Sequence, residues 1–153
     1  MTVTQSVDVA VPVTTAYNQW TQLEEFPRFM HGVEEVRQTD ATHSTWKVKV
    51  LGAEREFATR ITEQVPDERI AWTTTHGDAE QAGVVTFHRL DATNTRVTLQ
   101  MDVEKGGLLE RLGAATGVLD TQVALDMERF KEFIEDRGTE TGEWRGSVDR
   151  PKP

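Results

Sequence analysis

Apolar residues alternate with polar ones along most of this chain at a period of two, and near the end the period changes to that of a helix. Residues 6–11 place Val7, Val9 and Val11 on one face against Asp8 and Ala10, the pattern of a half-buried strand that Pro12 ends. Thr14 and Thr15 then offer an N-cap to a short helix carrying Ala16, Tyr17 and Trp20. A second short helical piece, EEFPRFM, takes Pro27 in its first turn, where a missing N–H costs nothing, and closes at Gly32. Six further strands are predicted over residues 33–39, 44–51, 54–65, 69–75, 83–90 and 95–104, separated by loop signals such as Pro66-Asp67 and His76-Gly77-Asp78. Short, regularly spaced strands of this kind read as an antiparallel meander with one apolar face.

Over residues 108–137, Leu112, Leu119, Val123, Met127, Phe130 and Ile134 recur at steps of three, four or seven. That stripe predicts a helix about 45 Å long at ~1.5 Å per residue. Only a broad partner surface buries it, and the sheet is the only one available. The predicted fold class is α+β, a single curled antiparallel sheet covered by the long C-terminal helix. Gly113 and Gly117 interrupt the stripe, each costing about 1 kcal/mol relative to Ala; they mark a kink, or a loosened gate over residues 108–116 beside the Gly52 and Gly77 loops. Residues 1–138 form the predicted domain, and residues 139–153 a polar tail in which Trp144 favours partial docking.

Composition narrows the functions available. The 153 residues carry 17 Lys and Arg against 26 Asp and Glu, a net charge of −9 that opposes phosphate backbones and anionic lipid surfaces, so no nucleic acid is expected as a partner. The absence of cysteine removes disulfides, thiolate nucleophiles and Cys-based metal sites. The N-terminus lacks the basic start and apolar run of a signal peptide, and no window is apolar enough for an integral membrane segment; the expected location is cytoplasmic. His31, His43, His76 and His88 show no metal-ligand spacing, so no metal is expected, and without phosphate-binding or nucleotide-binding motifs no cofactor is. General acid or base candidates with inward parity are Thr59, Thr74 and His76, while Arg60 falls on the opposite strand face; Tyr17 and Trp20 could supply polar tips at the cavity end, but on a short amphipathic helix they read as core. Asp102, Glu104, Asp126 and Glu128 are assigned to solvent faces or strand ends, leaving no catalytic residue identified.

The element order, the segment AYNQWTQLEEFPRFMHGVEEV, the pair ERIAW and GVVTF, and the ending DMERFKEFIEDRG together resemble the polyketide cyclase/dehydrase-like branch of the START-like (SRPBCC, helix-grip) superfamily. That resemblance implies a helix-grip fold, with a seven-stranded sheet around a C-terminal helix and a deep hydrophobic cavity. It also implies binding of lipids, polyketides or other small hydrophobic molecules. On strand parity alone, Trp46, Phe57, Trp72, Val85, Phe87, Leu99 and Met101, facing Leu119 and Val123, read as ordinary core. With the resemblance they become a cavity lining, together with Thr59, Thr74, Leu112 and Thr116. Three readings stay open: a binder of a small hydrophobic ligand, a cyclase- or dehydratase-like enzyme, and a ligand-free interaction module.

Overall fold

A computed structural model of the chain describes residues 2–50, 52–78, 80–103 and 117–149. Its elements follow in the order β1 (Thr2–Val9), α1 (Val13–Trp20), a 3-10 helix (Leu23–Arg28), β2 (Val33–Gln38), β3 (His43–Val50), β4 (Ala53–Val65), β5 (Arg69–Gly77), β6 (Gln81–Asp91), β7 (Asn94–Val103) and α2 (Gly117–Arg137). The seven strands form one antiparallel sheet in the order β1-β7-β6-β5-β4-β3-β2. This is the α+β arrangement that the pattern predicts and the helix-grip fold that the resemblance implies. Two register shifts lie within β4 against β5, at Ala58/Thr59 and Ile61/Glu63. Irregularities of this kind bend a strand and increase its twist.

Strand β1 starts four residues before the predicted residue 6, because Val3, Val7 and Val9 alternate inward with Thr2, Thr4, Ser6 and Asp8 outward. Gln5 hides that alternation in the sequence, being polar at an inward position. In the structure its Nε2 donates to Asp120 Oδ1 in the first turn of α2 at 2.8 Å. Helix α1 begins at Val13 with Pro12 as its boundary residue and no side-chain cap, so neither Thr14 nor Thr15 plays the predicted role. The second piece is a 3-10 helix in which Pro27 stands near the C-terminal end instead of the first turn.

Helix α2 buries Leu119, Val123, Met127, Phe130 and Ile134, the apolar stripe from its first turn onward. It ends at Gly138, whose φ of 72° suits a residue without a side chain and whose N–H bonds Ile134 O at 2.9 Å. Near that end Lys131 Nζ donates to Asp8 O, and Glu135 Oε2 accepts from Ala10 N, tying the helix to the exit of β1. Residues 104–116, with Leu112, Gly113, Thr116 and the predicted gate, lie outside the described residues. No helix of the described residues is long and apolar enough to cross a membrane.

Residues 139–149 run back over α1. Asn18 donates to Glu140 and accepts from Arg145, Gln19 exchanges two bonds with Thr141, and Thr21 Oγ1 accepts from Trp144 N. Arg145 also reaches Asp67 at 2.8 Å, and Val148 pairs with Gln64 through both backbone bonds beyond the end of β3. The buried amides of Asn18 and Gln19 thus find their partners in the tail.

The direction of the α2 stripe is testable. Phe130 is fully buried and Leu125 is 46% exposed. Phe130→Ala should lower unfolding free energy by about 3–5 kcal/mol, and Leu125→Ala by no more than about 0.5 kcal/mol, measured by urea denaturation; equal losses would place the stripe elsewhere.

Candidate functional site

Aromatic side chains projecting from the concave face of the sheet do not fill the space beneath α2. Trp46 and Phe57 are opposite each other in the β3–β4 ladder and stack with rings 5° from parallel and centroids 6.2 Å apart. The Trp46 indole is fixed from below: Nε1 donates to Ser44 Oγ at 3.1 Å and Thr59 Oγ1 at 3.0 Å. Trp72 lies opposite Gly83 in the β5–β6 ladder, and a Cβ at Gly83 would stand 2.4 Å from the indole. Only glycine lets that ring lie flat across β6. Phe26, from the 3-10 helix, meets Trp46 edge-on at 5.6 Å.

These rings bound a cavity of about 170 Å³ between sheet, 3-10 helix and α2. Its floor includes Val48, Ile61, Ile70, Val85, Leu99 and Met101, one end is closed by Trp20, Leu23, Met30 and Val33, and α2 contributes Val123 and Asp126. Apart from Asp126, the only described lining residues with polar side-chain groups other than the indoles are Thr59 and Gln81. Thr59 is already committed to Ser44 and Trp46.

Of the residues expected from the sequence, Trp46, Phe57, Thr59, Trp72, Val85, Leu99, Met101 and Val123 come together around the cavity. Three do not. Thr74 Oγ1 accepts from Gln81 N and stays outside the lining. Phe87 turns to Tyr17 and Trp20, with centroids at 5.4 and 6.5 Å, and Leu119 packs in the core. Leu112 and Thr116 fall outside the described residues. His76 is exposed, because the shift at Ala58/Thr59 changes the parity of β5 beyond Thr74. Tyr17 is core rather than cavity: its hydroxyl accepts from Gln64 Nε2 at 2.9 Å, and burial raises its pKa above the ordinary value.

Asp126 overturns the assignment to a solvent face. It is only 9% exposed and lines the cavity. Oδ1 accepts from Gln122 Nε2 and Arg129 Nη1, both at 3.0 Å, and from His31 N at 3.3 Å. Burial pushes the carboxyl above the ordinary carboxylate range, against the opposing pull of the His31 N–H, Arg129 and Gln122. The sequence did contain the signal: seven residues after Leu119, at ~100° per residue, Asp126 falls about 20° from it on the helix. Polarity concealed it. Among the described residues no group of His, Asp or Glu is arranged to hold a metal ion.

Comparison with known proteins gives three kinds of likeness. The family described as "Polyketide cyclase / dehydrase and lipid transport" matches residues 9–132. An uncharacterized 17.2 kDa protein in the melC2-rnhH intergenic region of Streptomyces lincolnensis is 56% identical over 146 residues, 95% of this chain and 97% of that one. Among solved structures, the Zhui aromatase/cyclase from Streptomyces sp. R1128 superposes with a TM-score of 0.74 at 16% identity, covering 94% of this chain and 99% of that one. A START superfamily protein from Mycobacterium smegmatis does so with a TM-score of 0.68 at 18% identity, covering 89% and 95%. The structural likenesses are likenesses of fold.

The raised pKa of Asp126 makes stability depend on pH with a definite sign. The folded state binds this proton more tightly than the unfolded chain, so the associated stability is complete below the ordinary pKa of about 3.9 and is lost as pH rises through the folded value. Asp126→Asn, neutral throughout, should therefore gain stability relative to the unmodified protein between about pH 4 and about pH 7. Urea unfolding at both pH values checks this, and a difference that is constant or moves the other way refutes it.

Proposed function

The chain belongs to the polyketide cyclase / dehydrase and lipid transport family, and on that premise we propose that it binds a small hydrophobic molecule in the cavity between the sheet and α2. The observation that carries this reading is the cavity itself, walled by three tryptophans, two phenylalanines and aliphatic side chains. Concave, mostly apolar spaces with a few placed polar groups are where small molecules bind. An engineered apolar cavity of about 150 Å³ in another protein stays dry and takes up benzene, so about 170 Å³ suits a ligand of ring size. The space also speaks against a ligand-free packed core.

Titration with naphthalene, followed by tryptophan fluorescence, should saturate at one molecule per chain. Val123→Phe fills the space from the α2 side and should weaken binding by about tenfold or more, roughly 1.4 kcal/mol. Unchanged affinity would move the site elsewhere.

Asp126 favours a second reading, a cyclase- or dehydratase-like activity, and one of the structural relatives is an aromatase/cyclase. Eliminating water from a β-hydroxy ketone requires a group that removes the α-proton and one that protonates the leaving hydroxyl. Asp126 is the one carboxyl among the described lining residues able to serve in either step. Asp126→Asn preserves side-chain size, so a fall of about 10²-fold or more in elimination from a β-hydroxy ketone, with naphthalene binding retained, would support this role. Equal turnover in the variant would exclude it.

A further inference from the structure

Five buried side-chain polar atoms lack a hydrogen-bond partner among the described residues: Trp20 Nε1, Arg55 Nε, Gln64 Oε1, Asp67 Oδ1 and Gln81 Oε1. Two of them, Trp20 Nε1 and Gln81 Oε1, belong to residues that line the cavity. A buried donor or acceptor left unpaired costs about 1–3 kcal/mol, and native structures seldom carry that cost without a use. The contrast with Trp46 is instructive, since its indole N–H in the same lining is satisfied twice. Trp20 is 3% exposed and enclosed by the rings of Phe26, Phe87 and Phe130, none of which offers an oxygen.

The two unpaired atoms have opposite character and sit at different places. Trp20 is the last residue of α1 and packs against Phe87 in the second half of β6, whereas Gln81 is the first residue of that strand. One offers a proton and the other receives one. The charge of the lining supplies a further constraint. No cationic side chain is among the described lining residues, and the one guanidinium close by, Arg129, is paired with Asp126. A carboxylate entering the cavity would lose its hydration and meet another carboxyl instead of a counter-ion.

Resting on the cavity-binding reading, we propose that Trp20 and Gln81 determine ligand selectivity: the cavity takes an uncharged, flat apolar molecule with an oxygen acceptor at one end and a hydroxyl at the other. Trp20 Nε1 donates to the first and Gln81 Oε1 accepts from the second. Fatty acids and other carboxylates are disfavoured.

Three probes with the same two-ring body test this on the full chain: naphthalene, 2,6-dihydroxynaphthalene and 2-naphthoate. The dihydroxy compound should bind about tenfold or more tightly than naphthalene, and Trp20→Phe and Gln81→Leu should each cut that preference about threefold or more, as expected for one neutral hydrogen bond each. 2-Naphthoate should bind about tenfold or more weakly than naphthalene. Equal affinity for naphthalene and its dihydroxy derivative, a preference that survives either substitution, or tighter binding of the naphthoate overturns the proposal while leaving the cavity-binding reading intact. Failure of all three probes to bind overturns both. Should Trp20→Phe fail to fold, Gln81→Leu and the three-probe ranking decide the matter.

Discussion

Trp20 is where the separate parts of this fold are held together. Its ring meets Phe26 of the 3-10 helix at 5.1 Å, Phe130 of α2 at 5.5 Å and Phe87 of β6 at 6.5 Å, each steeply inclined. Edge-to-face pairs of this kind add about 0.5–1.5 kcal/mol each beyond the area they bury. The helix, the plug and the sheet therefore fix one another through one side chain. The backbone beneath it is held from outside, because the neighbours of Trp20 on α1, namely Asn18, Gln19 and Thr21, bond to residues 140–145 of the tail. The same ring closes one end of the cavity.

Polar groups near the cavity divide into those the protein satisfies and those it does not. Ser44, Thr59 and the Trp46 indole form a closed set of bonds, and Asp126 gathers three donors on one oxygen. These groups serve to hold walls in place, since each bond restricts a side chain that borders empty space. Three donors on Asp126 are nonetheless insufficient to cancel its desolvation, as its raised pKa shows. The carboxyl is held in position beside the cavity.

Strand alternation is a local property, and it made the seven strands and the buried half of the C-terminal stripe legible in the sequence. What it concealed were the places where tertiary contacts reverse local logic. Gln5 occupies an inward position because Asp120 meets it there. Asp126 lies in the middle of an apolar stripe because Arg129, Gln122 and the His31 N–H meet it. His76 loses its inward parity because Thr75 is an extra residue in β5 between Thr74, paired with Thr59, and His76, paired with Ala58, an irregularity for which no turn residue gives warning. Strand and helix parity placed eight of the lining residues on the inward face, and the family resemblance made them a cavity lining instead of core. Leu23 and Phe26, by contrast, come from a 3-10 helix, and Met30 from the turn after it, a short run with too few residues to reveal which side faces the core.

An empty apolar space inside a domain of this size is costly. At about 24 cal/mol per Å³ of residual cavity, about 170 Å³ corresponds to roughly 4 kcal/mol, a large share of the roughly 5–15 kcal/mol by which folded domains are stable. Collapse would recover that energy, so something must oppose it. Trp46 is held down by two hydrogen bonds and braced by a stacked Phe57, and Trp72 lies flat over a glycine. Trp20 is wedged among three rings, and β4 carries two irregularities against β5 that bend it. For each wall, moving inward means breaking a bond, unstacking a ring or straightening a strand. The largest side chains, which would otherwise fill the core, are the ones pinned at its edge. A bound ring restores the missing contacts without moving any of them.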